Sequence, residues 1–163
     1  MTTLRNVRKH LFIAFSIIAV PTHLMAEEKC LKGAWAGFNQ ADYKRAIKYS
    51  DQCIDNFKKM ADREEENLEK LKEPMPQTGT VSQSEKSKIF NRGLLNDVAS
   101  ACYIKGRSAE YLYKKGGTEA KKYKIMAISS YEMTRHYKYA RTWDPQGFFW
   151  SPSDAAVDRL PLE

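Results

Sequence analysis

The stretch Asn39-Gln40-Ala41-Asp42-Tyr43-Lys44-Arg45-Ala46-Ile47-Lys48-Tyr49 decides how this chain folds. It predicts a turn near Gln40-Ala41 and a helix that begins at about Asp42. A shorter helix over about residues 28–39 is predicted before the turn. Its apolar residues recur at helical spacing: Leu31, Ala34, Trp35 and Phe38. Two helices joined by so short a turn are expected to pack antiparallel, as a hairpin.

A second hairpin is predicted further along the chain. Apolar residues at steps of three and four continue the second helix to about Leu71. Ser82 and Glu85 match a capping box that opens a third helix, and Gly116-Gly117 ends it. A fourth helix is then expected to continue to about Arg141.

The segments outside the two hairpins complete the predicted architecture. Residues 73–81 (EPMPQTGTV) hold two prolines, one glycine and little that could be buried, which predicts a mobile loop. Ser151 and Pro152 predict a last short helix, because serine caps helices and proline suits their first position. The predicted fold is all-α: two antiparallel helical hairpins and a short C-terminal helix, in a single domain over residues 27–163.

The first turn resembles the central turn of a tetratricopeptide repeat (TPR). In that family a small residue closes the turn, an aromatic residue follows two positions later, and a further small residue lets the helices approach. Ala41, Tyr43 and Ala46 stand in these places here. The resemblance implies a TPR-like module that binds or scaffolds other proteins, and it implies no catalysis. Two repeats are fewer than the three that such folds normally need, so the long helices or a homodimer would supply the missing burial.

The first 26 residues have the composition of a signal peptide. Arg5, Arg8 and Lys9 are basic, an uncharged apolar run of ten residues begins at Leu11, and cleavage is expected near Ala26. This run is shorter than the roughly 20 residues that a helix needs to span a bilayer. The sequence therefore predicts a periplasmic or secreted mature protein.

Positive charge is concentrated in one part of the chain. The chain has 27 Lys and Arg against 20 Asp and Glu, and residues 85–142 alone have 13 basic and 5 acidic residues. Export argues against a nucleic-acid partner, so this stretch predicts contact with an acidic protein, a glycan or lipid headgroups. Five of its residues are expected near a groove that prefers an acidic or extended segment: Lys105, Arg107, Lys121, Lys122 and Lys124.

Cys30 and Cys53 lie about equally far from the first turn. Antiparallel helices rise equally per residue, so the two cysteines are expected at the same height, where an oxidising compartment would join them in a disulfide. The alternative is two small buried side chains without a bond. Cys102 is expected to be a core residue, with a free thiol or an intermolecular bond as the alternative.

The chain lacks the residues of a recognisable catalytic or metal site. After the predicted cleavage His136 is the only histidine left, and no nucleophile elbow surrounds it. The cysteines have no C-x-x-C spacing, and Gly116-Gly117 lacks the flanking pattern of a phosphate loop. The sequence therefore predicts a protein that is not an enzyme and has no cofactor and no bound metal.

Aromatic residues are concentrated near the C-terminus. Seven of the 20 residues from 131 to 150 are aromatic, against 19 in the whole chain, and basic residues lie between them. Trp, Tyr and Arg are the residue types of binding hot spots. Six residues are predicted to contact a partner: Arg135, Tyr139, Arg141, Trp143, Phe149 and Trp150. The alternative is that part of this segment folds back and covers the open apolar end of the hairpins.

Two functions fit these features of the sequence. The first is an exported adaptor module that binds a protein partner in the cell envelope. The second is a protein that binds a glycan of the cell wall, or a small ligand, with its C-terminal aromatic residues. An enzyme of unfamiliar type is the remaining alternative.

Overall fold

The computed structural model of the protein describes residues 22–160 and residue 162. Helices make up most of this part of the chain, so the predicted all-α class is confirmed in its coarse form. A small antiparallel sheet that the sequence did not predict lies between the last two helices. The predicted signal peptide, residues 1–26, falls largely outside the described residues. In chain order the elements are α1 (Thr22–Asn39), α2 (Tyr43–Lys70), α3 (Gln83–Phe90), α4 (Gly93–Lys115), α5 (Ala120–His136), β1 (Thr142–Asp144), β2 (Phe148–Trp150) and α6 (Pro152–Val157).

The turn between α1 and α2 brings these two helices into close contact. Ala41 has a left-handed backbone with φ of 57°. The carboxylate of Asp42 caps α2 by accepting the backbone N–H of Arg45 at 3.1 Å. A Cβ atom added to Gly37 would lie 2.7 Å from the backbone nitrogen of Ala46. Only a residue without a side chain at position 37 allows the helices to approach this closely.

A disulfide joins α1 to α2 away from the turn. Cys30 and Cys53 are bonded with their Cα atoms 5.5 Å apart, so the predicted pairing is confirmed. The pairing places the two residues at the same height, as expected for antiparallel helices. Cys102 has a free thiol and is fully buried, and this burial raises the pKa of its thiol to about 12. The predicted place of Cys102 in the core is confirmed.

Helix α4 is the centre of the fold. It packs against each of the other helices of the described chain and against β1. A Cβ atom added to Gly106 of α4 would lie 2.7 Å from the ring of Tyr131 in α5, which shows how closely neighbours approach. Most of its buried positions hold small residues: Ala99, Ser100, Ala101, Cys102, Gly106, Ser108 and Ala109. The position of α4 therefore fixes the positions of the elements around it.

The predicted third helix is divided into α3 and α4. The two helices meet at residues 91–92, where the side-chain amide of Asn96 donates to the carbonyl oxygen of Ile89 at 2.7 Å. This hydrogen bond satisfies a carbonyl group at the end of α3. The sequence pattern did not show the division, because the apolar spacing continues across it.

The predicted fourth helix ends at His136 and not at Arg141. The carboxylate of Glu65 in α2 accepts the backbone N–H groups of Lys138 at 2.7 Å and Tyr139 at 3.3 Å. If α5 continued, these two N–H groups would instead donate to carbonyl oxygens four residues earlier in the same helix. A contact from α2 therefore replaces the next turn of α5, and no local pattern in the sequence could show it.

The chain then forms a β-hairpin where the sequence predicted only the end of a helix. Trp143 pairs with Phe149 across the two strands, and Thr142 pairs with Trp150. Gly147 closes the turn with φ of 100°, and its N–H donates to the carbonyl oxygen of Asp144 at 2.9 Å.

The loop that the sequence predicted to be mobile is attached to this hairpin. The N–H of Gly79 donates to the carbonyl oxygen of Phe149 at 2.7 Å, and the N–H of Phe149 donates back at 2.9 Å. The carbonyl oxygen of Pro76 accepts hydrogen bonds from the guanidinium group of Arg141. The loop therefore covers the free edge of β2.

Loss of the disulfide should destabilise the protein measurably. For the Cys30→Ser/Cys53→Ser variant we expect the free energy of unfolding to fall by about 3 kcal/mol, because the unfolded chain is no longer cross-linked. Urea unfolding followed by circular dichroism measures this difference. A reductant should destabilise the wild type to the same extent and leave the variant unchanged. Equal unfolding midpoints for the oxidised wild type and the variant would contradict the prediction.

Candidate functional site

The three tryptophans of the chain line one groove. A cavity of about 410 Å³ lies between α1 and the β-hairpin. Its lining residues are Trp35, Asn39, Trp143, Asp144, Pro145 and Trp150. A second cavity of about 190 Å³ adjoins it, since Trp35 and Trp143 line both. The two cavities together are called the tryptophan groove below.

Two of the six predicted contact residues line the larger cavity. Trp143 is 37% exposed, and Trp150 is half-buried with its ring against Tyr103 of α4. Arg135 is exposed on α5, where its guanidinium group pairs with Glu132 at 2.9 Å, and it is not among the described lining residues. The structure thus brings Trp143 and Trp150 together and leaves Arg135 apart from them.

The other three predicted contact residues are buried. Only 5% of Tyr139, 6% of Arg141 and 1% of Phe149 is exposed. Arg141 lines the smaller cavity, but its guanidinium group donates to the carbonyl oxygens of Pro76, Lys138 and Ala140. In this structure the three side chains are packed inside the protein. This agrees with the alternative prediction, in which part of the segment folds back and covers the apolar end of the hairpins.

Helix α1 supplies a part of the groove that the sequence pattern does not predict. Leu31, Trp35 and Asn39 stand at steps of four, so they share one face of α1, and each lines one or both cavities. The sequence pattern predicts for Trp35 only a place on the apolar face of a helix. The other two tryptophans of the groove lie more than 100 residues away in sequence, and no local pattern relates them to Trp35.

Helix α4 holds the β-hairpin in position through two buried polar side chains. The amide oxygen of Asn96 accepts the backbone N–H of Arg141 at 2.8 Å. The hydroxyl groups of Ser100 and Thr142 are hydrogen-bonded at 2.6 Å. Buried hydrogen bonds of this kind are costly to break, because the polar group that loses its partner has no water nearby to replace it. The groove wall that carries Trp143 is therefore fixed to the core.

Helix α2 holds the turn before the hairpin through a buried carboxylate. Glu65 is fully buried, and it accepts the two N–H groups that follow α5. Burial raises the pKa of the Glu65 carboxyl to about 7, although the hydrogen bonds from Lys138 and Tyr139 lower it in part. Asp62, one turn earlier, accepts the phenolic O–H of Tyr137 at 2.7 Å.

Three of the five basic residues that the sequence placed near a groove have partners elsewhere. Lys105 pairs with Asp51 at 2.7 Å, and Lys122 pairs with Glu119 at 2.9 Å. Arg107 donates to the phenolic oxygen of Tyr111 at 3.1 Å. The described lining residues of the tryptophan groove include none of the five predicted basic residues.

A basic residue that does not line either cavity, Lys86, lies against the ring of Trp143. The ammonium group of Lys86 in α3 is 4.0 Å from the centre of the Trp143 ring and 5.6 Å from the centre of the Phe90 ring. Both distances are within the range of cation–π interactions. The Trp143 ring is therefore positioned to accept a cation within this molecule.

The surroundings of His136 are those of a surface residue. His136 is exposed, its Nε2 atom lies 4.0 Å from Asp62, and its ring contacts Tyr137. Among the described residues there is no group of three His, Cys, Asp or Glu side chains that could hold a metal ion.

Comparison with protein-family models, with curated proteins and with solved structures finds no match to this chain. The Cys30–Cys53 disulfide indicates an oxidising environment outside the cytoplasm, because such bonds form and persist there. In the described part of the chain, no helix has both the length and the apolar character needed to cross a membrane.

Arg141 should anchor the loop at residues 73–81. For Arg141→Lys we expect backbone amide exchange in this loop to become at least about tenfold faster, because one ammonium group cannot reach the three carbonyl groups. Hydrogen–deuterium exchange with mass spectrometry measures it. Arg135→Lys, on the exposed face of α5, is the matched control and should leave the loop unchanged. Unchanged exchange in Arg141→Lys would contradict the prediction.

Glu65 should make the protein less stable as the pH rises. Its pKa in the folded state, about 7, is above the ordinary value of 4.5, so the folded protein binds an additional proton between these values. The free energy of unfolding should therefore fall as the pH rises from about 4.5 to about 7. In Glu65→Gln this contribution is absent.

Urea unfolding at several pH values tests this, with Glu66→Gln as the control at an exposed neighbouring position. We expect the stability of the wild type relative to Glu65→Gln to decrease over that pH range, while the control follows the wild type. Parallel pH profiles for wild type and Glu65→Gln would contradict the prediction.

Proposed function

We propose that this protein is an exported, non-catalytic module of TPR-like architecture that binds a segment of a partner protein in the tryptophan groove. In this proposal α1 and α2 form one hairpin, α4 and α5 form the second, and the β-hairpin closes one side of the groove. The observation that carries the proposal is that all three tryptophans of the chain line this groove.

The size and lining of the groove support a binding role. The larger cavity, at about 410 Å³, is within the range of about 300–1,000 Å³ that is typical of ligand pockets. Such pockets combine aromatic walls with a few polar groups that orient the ligand, and here Asn39 and Asp144 are the polar groups. Tryptophan is among the residues that contribute most to binding energy at protein interfaces.

The shape of the groove supports an extended segment as the ligand. The lining residues Leu31 and Asn39 are eight positions apart on one face of α1, which corresponds to about 12 Å along the helix. Three or four residues of extended chain, at about 3.3 Å each, would cover this length. Aromatic-lined grooves bind extended segments in several known classes of peptide recognition.

A glycan is the second candidate ligand. The side chains of Asn39 and Asp144 stand beside the tryptophan rings in the larger cavity, so hydroxyl groups and the apolar face of a sugar ring could be bound together. The compartment that the disulfide indicates is compatible with both ligands.

Site-specific crosslinking in the native envelope tests the proposal. A photoreactive amino acid replaces Asn39, which is exposed in the groove, or Asn56, a matched exposed asparagine of α2 that does not line it. We expect a discrete protein adduct from position 39 only, and its loss when Trp143→Ala is added. The same adducts at both positions, or none at position 39, would overturn the proposal. A carbohydrate adduct from position 39 would favour the second candidate.

A further inference from the structure

We infer that the tryptophan groove selects a cationic side chain, so that the bound segment is an extended peptide carrying an arginine or a lysine. The inference depends on the proposed function, because it assigns the chemistry of the ligand at the same groove. The cationic group would lie against the tryptophan rings and beside the carboxylate of Asp144.

The charge of the groove is the first argument. Among the described residues that line the larger cavity, Asp144 alone carries a charge. Its Oδ1 atom accepts the backbone N–H of Gln146 at 2.8 Å, and it forms no ion pair with a described residue. The groove therefore presents a carboxylate on a protein whose net charge is +7. This arrangement favours a cationic ligand over the acidic segment that the composition of the chain suggested.

The charges of the adjoining cavity do not cancel this preference. Asp97 and Arg141 both line it. The guanidinium group of Arg141 is committed to backbone carbonyl groups, including those of Pro76 and Lys138. Its donors are therefore not available to an acidic ligand.

The position of Lys86 is the second argument. Its ammonium group, 4.0 Å from the centre of the Trp143 ring, shows that this ring is placed to attract a cation. Lys86 belongs to α3, whereas Asp144, Pro145 and Trp150 belong to the β-hairpin and line the larger cavity. A ligand cation in the larger cavity would meet the same ring and also the carboxylate of Asp144, whose attraction opposes the repulsion from the Lys86 ammonium group.

Arginine fits these features better than lysine. Its planar guanidinium group can stack on an indole ring and donate two parallel hydrogen bonds to a carboxylate. An ammonium group offers a point charge without this planar face. A neutral glycan would use the tryptophan rings without responding to the charge of Asp144, so the charge dependence of binding separates the two ligands.

The three tryptophans provide a direct measurement, because each has one indole N–H and all three line the groove. The oxidised protein, labelled with ¹⁵N, is titrated with a ten-residue Ser/Gly peptide that has one central arginine. The same peptide with citrulline, which is neutral and similar in shape, is the matched ligand control. A soluble oligosaccharide of N-acetylglucosamine is titrated separately.

We expect the arginine peptide to shift the indole signals with a Kd about tenfold lower than that of the citrulline peptide. Asp144→Asn keeps the oxygen that accepts the Gln146 N–H, and it should reduce this ratio to about one. Asp55→Asn, at an exposed position of α2 outside the groove, should keep the ratio of the wild type.

The alternative results are distinguishable. Equal affinity for the two peptides, or an unchanged ratio in Asp144→Asn, overturns the cationic preference and leaves the proposed function standing. Indole shifts with the oligosaccharide but with neither peptide overturn the preference and favour the glycan. If no probe shifts an indole signal and no adduct forms at position 39, the proposed function fails as well.

Discussion

The close packing of α4 against its neighbours sets the arrangement of the helices, the β-hairpin and the groove. Most of the positions on its buried face hold alanine, serine, cysteine or glycine. Larger neighbours can therefore approach closely, and the Tyr131 ring occupies the space that a side chain at position 106 would need. Because α4 contacts all the other described helices, a displacement at any one contact would be passed to the groove.

A few buried polar groups convert this packing into one defined position for the β-hairpin. Asn96 and Ser100 of α4 hold the start of the hairpin, and Glu65 of α2 holds the turn before it. Each of these side chains is buried, so each hydrogen bond has to be formed for the fold to be stable. Apolar packing alone would allow the hairpin to slide. The polar contacts fix it and with it two of the three tryptophans.

The groove follows from these two features together. Helix α1 is fixed by its disulfide and by the contact of Gly37 with Ala46, and the hairpin is fixed by α4. Trp35 thus lies at a set distance from Trp143 and Trp150, with a cavity of about 410 Å³ between them. In the proposed function, a ligand enters a groove that is already formed, so little binding energy would be lost in ordering the protein. Among the described lining residues of the larger cavity, the one charged group is a carboxylate, whereas the chain as a whole has a net positive charge.

The features that depend on near neighbours in the chain follow from the amino-acid sequence alone. These are the helical class, the caps at Ser82 and Ser151, and the pairing of Cys30 with Cys53, because helix periodicity and a short turn fix their geometry. Only the tertiary structure decided where α5 ends, that the loop at residues 73–81 is attached to β2, and which aromatic residues are buried. It also brought Trp35 to the C-terminal hairpin. These outcomes depend on contacts such as Glu65 with Tyr139 and Gly79 with Phe149, between residues 70 or more positions apart. Side chains at such separations meet only after the helices have packed, so no local pattern encodes their meeting.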